Sequence, residues 1–277
     1  MTKMKNGMIK PFEELEYSDD FMFGCVMRDK VLCREVLECL LQRPVGELTD
    51  VIPQREFQYT SDGKPIRLDI YTEDDSGVYD AEMQKLNNKS IKSLDLPRRS
   101  RFYQSMIDGD HLKKAQLYKT LPDSTVLFIC TFDPFRRGFE KYTFREICEE
   151  SPDLCLNDGT TKIFFNCRYE GSDLPEELRK FYDFVETGKV GNSLTEKLEE
   201  AVINARKVEE WRSQYMKEMV VIMNAREEGK AEGKAEGKAE GKAEERVNTE
   251  RERKRAEIAE AELAKYRKYA LEHGYKE

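Results

Sequence analysis

IRLDIYTEDDSGVYDAEMQ, Ile66 to Gln84, alternates apolar and polar residues on either side of an Asp/Ser/Gly cluster, and it follows REFQYT (55–60) and the turn-forming SDGKP (61–65). β-branched and aromatic residues at a period of two, interrupted by such turns, predict three short antiparallel strands in a meander.

Upstream, SDDFMFGCVMRDKVLCREVLECLL (18–41) places Phe21, Val26, Leu32, Val36, Leu37, Leu40 and Leu41 near helical spacing. This predicts a helix with Ser18 or Asp19 as N-cap and a break near Arg28. Downstream, 94–108 reads as a helix entered through Pro97, and His111 to Leu121 as a second short helix. STVLFICTFDPF (124–135) opens almost continuously apolar, the pattern of a strand covered on both faces. TKIFFNCRY (161–169) predicts another strand, and Pro175 to Thr187 a helix ended by Gly188. A helix, three strands, a helix and further strands imply an α/β fold, with a mixed sheet flanked by helices.

From Leu194 the chain reads as helix to Glu228, after which Gly229, Gly233, Gly237 and Gly241 recur within repeated EGKA. A residue type repeated every four positions drifts about 40° per repeat around an α-helix, so no fixed apolar face forms. Each Gly costs about 1 kcal/mol relative to Ala, and i,i+4 charge pairs offset only part of it. The organisation expected is therefore a core over 1–190 and a helical extension over 191–228, packed on the core or a partner subunit. A solvated spacer, marginal helix or linker, follows over 229–245, and a charged helix over 246–277.

Of 277 residues, 39% are hydrophobic and 37% charged, the latter well above the ~25% of an average globular chain. Basic residues number 47 against 55 acidic, and 195–277 holds 19 and 20 of them, so nearly all the negative excess lies in 1–194. That balance argues against DNA binding through bulk positive charge and leaves room for a local basic cleft. No run of about 18 apolar residues occurs and the first residues carry no signal-peptide pattern, so no membrane partner is expected. Seven cysteines without a CxxC pair suggest a cytoplasmic setting and no zinc–cysteine site. GxxxxGK[ST] and GxSxG are missing, so neither a nucleotide cofactor nor a serine hydrolase is supported. His111 and His273 do not make a histidine metal site, and Trp211, Tyr215 and Met219 at i, i+4, i+8 read as a packing stripe.

Chemistry concentrates in the meander. Asp69 and Glu82 on neighbouring strands can face one another, and Gln84 shares the face of Glu82. Two carboxylates inside a sheet without a lysine partner are costly unless a cation neutralises them. Mg²⁺, with Mn²⁺ as substitute, is the hard oxygen-bound ion that suits them, able to polarise a phosphate and lower the pKa of an attacking water. Asp80 reads as a supporting or turn residue.

The series DDFMFGCVM (19–27), IRLDIYTEDDSGVYDAEMQ (66–84), LPRRSRFYQSMID (96–108), Tyr118 and Leu121 ahead of STVLFICTFDPF, and YTFREIC (142–148) resembles the Rpn-like recombination-promoting nucleases, also called PD-(D/E)XK nuclease family transposases. The resemblance spans roughly residues 15–225. It implies a restriction-endonuclease-like core and Mg²⁺-dependent cleavage of DNA, with Asp69 and Glu82 as the metal-holding acids of the second and third strands. Gln84 falls where the wider superfamily usually has Lys, a departure the Rpn-like group itself shares. Asp20, in Asp-x-x-Phe with Phe23, matches an acid of the first helix and reads equally as a helix cap. Arg98, Arg101 and Tyr103 match an Arg/Tyr helix that would face DNA, or form surface ion pairs. Cys25 stands where relatives often carry Lys, and Ala115 where a Gly precedes the Tyr. The function expected is a metal-dependent DNA endonuclease, promoting recombination or associated with mobile elements. The alternative is a weak or inactive DNA-binding scaffold. Cutting both strands commonly needs two copies of a site, so a homodimer with contacts in 1–225 is expected.

Overall fold

Alternation in the meander does form three strands, β1 (Ile52–Phe57), β2 (Ile66–Asp74) and β3 (Gly77–Gln84), paired antiparallel in sequence order. The computed structural model describes residues 10–58, 66–86, 91–112 and 114–272; the SDGKP turn, the end of REFQYT and His273 lie outside the described residues. β1 begins three residues earlier than REFQYT, through Pro53, which is tolerated because β1 is an edge strand. At the β2–β3 turn Asp74 Oδ1 accepts the N–H groups of Ser76 and Gly77. Gly77 has φ 148°, and a Cβ there would sit 2.3 Å from the Asp123 carbonyl oxygen. That carbonyl accepts the N–H of Val78, so only glycine fits.

β4 (Ser124–Cys130), β5 (Lys141–Phe144) and β6 (Thr160–Asn166) complete a six-stranded sheet of order β1-β2-β3-β4-β6-β5. β3, β4 and β6 run parallel and β5 pairs antiparallel with β6. The mixed α/β sheet expected from the element order is therefore present. β5 is an addition: KYTF is too short to show periodicity.

The 18–41 segment divides into α1 (Asp20–Val26) and α2 (Lys30–Leu41), with Asp29 accepting the N–H groups of Val31 and Leu32 to start the second. α3 (Ile91–Leu94) leads to α4 (Leu96–His111). His111 thus ends a helix, and the second helix expected over 111–121 is replaced by a single 3-10 turn at Tyr118–Thr120. Ala115, at φ 73°, cannot continue a right-handed helix. α5 (Glu176–Thr187) ends at Gly188, φ 72°.

α6 (Ser193–Ala205) opens with a reciprocal cap between Asn192 and Thr195. Asn192→Ala is expected to cost about 1 kcal/mol, read as a lower urea midpoint at unchanged slope. The helix expected over 194–228 breaks after Ala205, and α7 (Glu209–Glu272) follows. Compact units divide at Tyr215 and Met216. In the first, Tyr215 is buried against Phe12 and Phe21 and donates its hydroxyl to the Lys10 carbonyl, 2.7 Å, so it packs as its spacing suggested. In the second, the EGKA repeat is helical and exposed throughout, the solvated-helix form of the expected spacer, with Ala, Glu and Lys propensity offsetting the glycine cost. Among the described residues no helix is long and apolar enough to cross a membrane.

Both faces of the central strands are covered. α4 lies over Tyr71, Val78, Val126 and Phe128, where Tyr103, Phe128 and Phe164 stack at 6.2 and 5.1 Å between centroids. Leu127 and Ile129, which alternate with Val126 and Phe128, are equally buried; α1 packs on β1, β2 and β3, with α6 against α1.

Candidate functional site

The sheet opens at Asp69. The β2–β3 register runs from Asp74 opposite Gly77 to Ile70 opposite Ala81 and stops, while β1–β2 pairing passes from Pro53–Ile70 to Arg55–Leu68. Gln54, across from Asp69, has φ 54°. Leu68 and Tyr71, three residues apart, enter the same core cluster, so the period-two alternation slips by one at this point.

Side chains bridge the gap. Glu82 Oε1 accepts the Asp69 N–H at 2.8 Å, and Asp69 Oδ2 accepts the Met83 N–H at 3.0 Å. Each acid thus replaces a backbone acceptor of its own strand for an N–H of the other. This exchange brings the Asp69 carboxyl into the field of the Glu82 carboxyl.

Asp80, Glu82 and Gln84 alternate on one face of β3, all buried, Asp80 at 0% and Glu82 at 1% exposure. No N–H or hydroxyl among the described residues donates to either Asp80 oxygen, and the Glu82 carboxyl lies within hydrogen-bonding reach of it. Burial raises the Asp69 carboxyl well above its usual range, helped by the charges of Glu82 and Asp20. Burial raises Asp80 too, with Asp69 adding to it, and raises Glu82, with Asp80 adding and Arg99 opposing.

The basic partner of these acids is not a lysine of the sheet but an arginine of the helix. Strand β3 carries none on this face, but Arg99 reaches in from α4: Nη2 donates to Glu82 Oε2 at 3.0 Å and Nη1 to Gln84 Oε1 at 2.8 Å. Lys85 points the other way, to Glu16, Ser18 and Asp19. Arg99 was legible in helical phase, since Leu96, Arg99, Tyr103 and Ile107 follow i, i+3, i+7, i+11. Arg98 and Arg101 fall outside that stripe; both are exposed, Arg98 pairing with Asp95 at 3.3 Å. Tyr103, expected to face DNA, is instead 7% exposed and its hydroxyl accepts from Arg99.

Asp20 is the first residue of α1 and exposed, with Oδ1 accepting the Phe21 N–H. It is not the cap; the N-cap position belongs to Asp19, whose carboxylate is held by Lys10 and Lys85. Cys25 is buried, so its side chain presents nothing to a phosphate. His111 Nε2 lies 2.6 Å from the Tyr71 hydroxyl.

The Asp69, Asp80 and Glu82 carboxyls all lie in the field of the Arg99 guanidinium, and Arg67 acts on Glu82 as well. If all three acids ionise, negative charge still exceeds positive, so they hold protons or admit a further cation. Among the described residues no three or more His, Cys, Asp or Glu are grouped to hold a metal ion. An oxygen-only pair, Asp69 and Glu82, nevertheless fits Mg²⁺, which keeps several waters and binds through one or two carboxylates. Asp69 is partly exposed as a residue while Glu82 is buried.

No family model, curated protein or solved structure matches the chain.

Proposed function

We propose that the chain is a Mg²⁺-dependent DNA endonuclease with a restriction-endonuclease-like core, in which Asp69 and Glu82 hold the ion. One observation carries this reading: the sheet is opened at the point that brings two carboxyls together, at the cost of buried negative charge in excess. Structural acids rarely need that, because an apolar pair would pack there more cheaply. The site also lies toward the C-terminal ends of parallel β3 and β4, where α/β folds hold ligands. The resemblance to the Rpn-like nucleases supports the same reading.

When bound, Mg²⁺ supplies charge to a phosphate oxygen and acidifies water. The chain's own residues orient the reactants. Gln84 donates its amide N–H to the Met83 carbonyl at 2.9 Å and accepts from Arg99, so it fixes position and moves no proton. Asp20, exposed beside Asp69, adds charge at the mouth of the site. Exposed Arg98 and Arg101 give α4 two cations for DNA phosphates, and a homodimer would present two sites to two strands.

A second reading has its own observation. Arg99 already neutralises Glu82, as it would in a DNA-binding scaffold that needs no ion. Incubation with supercoiled plasmid separates the two: nicking in Mg²⁺ or Mn²⁺ that stops in EDTA is expected of the nuclease. Plasmid left intact in both metals would favour the scaffold.

A further inference from the structure

Four of the five N–H groups of Arg99 are directed. Nε and Nη2 both donate to the Tyr103 hydroxyl, at 3.1 and 2.8 Å; Nη2 also donates to Glu82 and Nη1 to Gln84. The guanidinium centre lies 5.3 Å from the Tyr103 ring and 5.6 Å from that of Phe128. Yet the side chain is 31% exposed, against 77% for Arg98, and the second N–H of Nη1 has no partner among the described residues.

A counter-ion serving only to neutralise Glu82 would need neither the bond to Gln84 nor an open side. A guanidinium locked by rings and a hydroxyl loses little freedom on binding, and its planar fork suits phosphate oxygens. We propose that Arg99 supplies, from the helix, the cation that strand β3 lacks at Gln84. It is a catalytic residue that holds Glu82 and Gln84 in place and offers its free Nη1 N–H to the phosphate being cut. The proposal rests on the nuclease reading and adds to it a group that acts on the substrate.

The test uses the full chain as wild type, Arg99→Met, Arg99→Lys and the double variant Arg99→Met/Gln84→Lys. Mn²⁺-dependent nicking, Mn²⁺ affinity by calorimetry and thermal melting are read for each. Arg99→Met should nick about 10²–10³-fold more slowly, the loss typical of one oriented donor to developing charge, while binding Mn²⁺ as tightly as wild type or more so. Gln84→Lys on that background returns a cation to the strand and should recover at least about tenfold of the loss. A purely structural arginine would give no such rescue. Arg99→Met nicking at the wild-type rate overturns the proposal and leaves the nuclease reading standing. So does a double variant that melts like wild type and binds Mn²⁺ but stays inert, a criterion that holds even if Arg99→Met fails to fold. Wild-type protein that neither binds Mn²⁺ nor nicks overturns the nuclease reading, and the role of Arg99 with it.

Discussion

Asp69→Asn is expected to slow Mn²⁺-dependent nicking by about 10³-fold or more, because ion-mediated charge stabilisation is worth several kcal/mol and each 1.36 kcal/mol is a factor of ten. The fold should survive. The asparagine carbonyl can still accept the Met83 N–H that Asp69 Oδ2 accepts at 3.0 Å, and the change removes a carboxyl that burial and Glu82 disfavour as an anion. Melting in EDTA within a few degrees of wild type, together with lost nicking, would place Asp69 in the chemistry. Nicking at the wild-type rate would remove it.

Asp80→Asn is expected to make the metal-free protein more stable at pH 8 and to leave it nearly unchanged at pH 4. Asp80 is fully buried, no N–H or hydroxyl among the described residues donates to it, and its carboxyl is raised well above the usual range by burial and by Asp69, with Arg99 and the Glu82 carboxyl opposing. A carboxyl whose folded pKa exceeds its unfolded value binds its proton more tightly in the folded state. Its contribution is therefore full below the unfolded pKa, near ~3.9, and is lost as pH rises through the folded pKa. Asparagine has nothing to lose over that window. The gain at pH 8 is the proton-linked part alone, because the asparagine amide is as polar and as buried as the protonated carboxyl it replaces. Asp74 and Asp133 shift the other way, held low by hydrogen bonds that outweigh their burial, but they are common to both proteins and cancel. Urea unfolding in EDTA at the two pH values reads the difference; an equal effect at both would deny that Asp80 titrates.

Much of the fold was legible because it is periodic. The meander carries a period of two broken only at Asp69, the strand at Ser124 a continuous apolar run, and the helix at Glu176 a helical period closed by Gly188. The failures are local. A helix over 111–121 was plausible in composition and fails on the backbone angle of Ala115, which no periodicity displays. Lys141–Phe144 is a strand because β6 offers an edge, a tertiary fact. Asp69 and Glu82 were legible as a pair through strand spacing, but their exchange of backbone bonds depends on the slip opposite Gln54. Arg99 lies outside the matched set Arg98, Arg101 and Tyr103, and only the helical face it shares with Leu96 and Ile107 points to it.

Calorimetric titration of the chain with Mn²⁺, beside Asp69→Asn and Glu82→Gln, reads the ion site without relying on turnover. Binding of one Mn²⁺ per chain by the wild type, lost in both variants while each still melts cooperatively, is the result expected if these carboxyls hold the ion. Wild-type protein that takes up no Mn²⁺, or variants that bind it as well as wild type, would contradict that assignment.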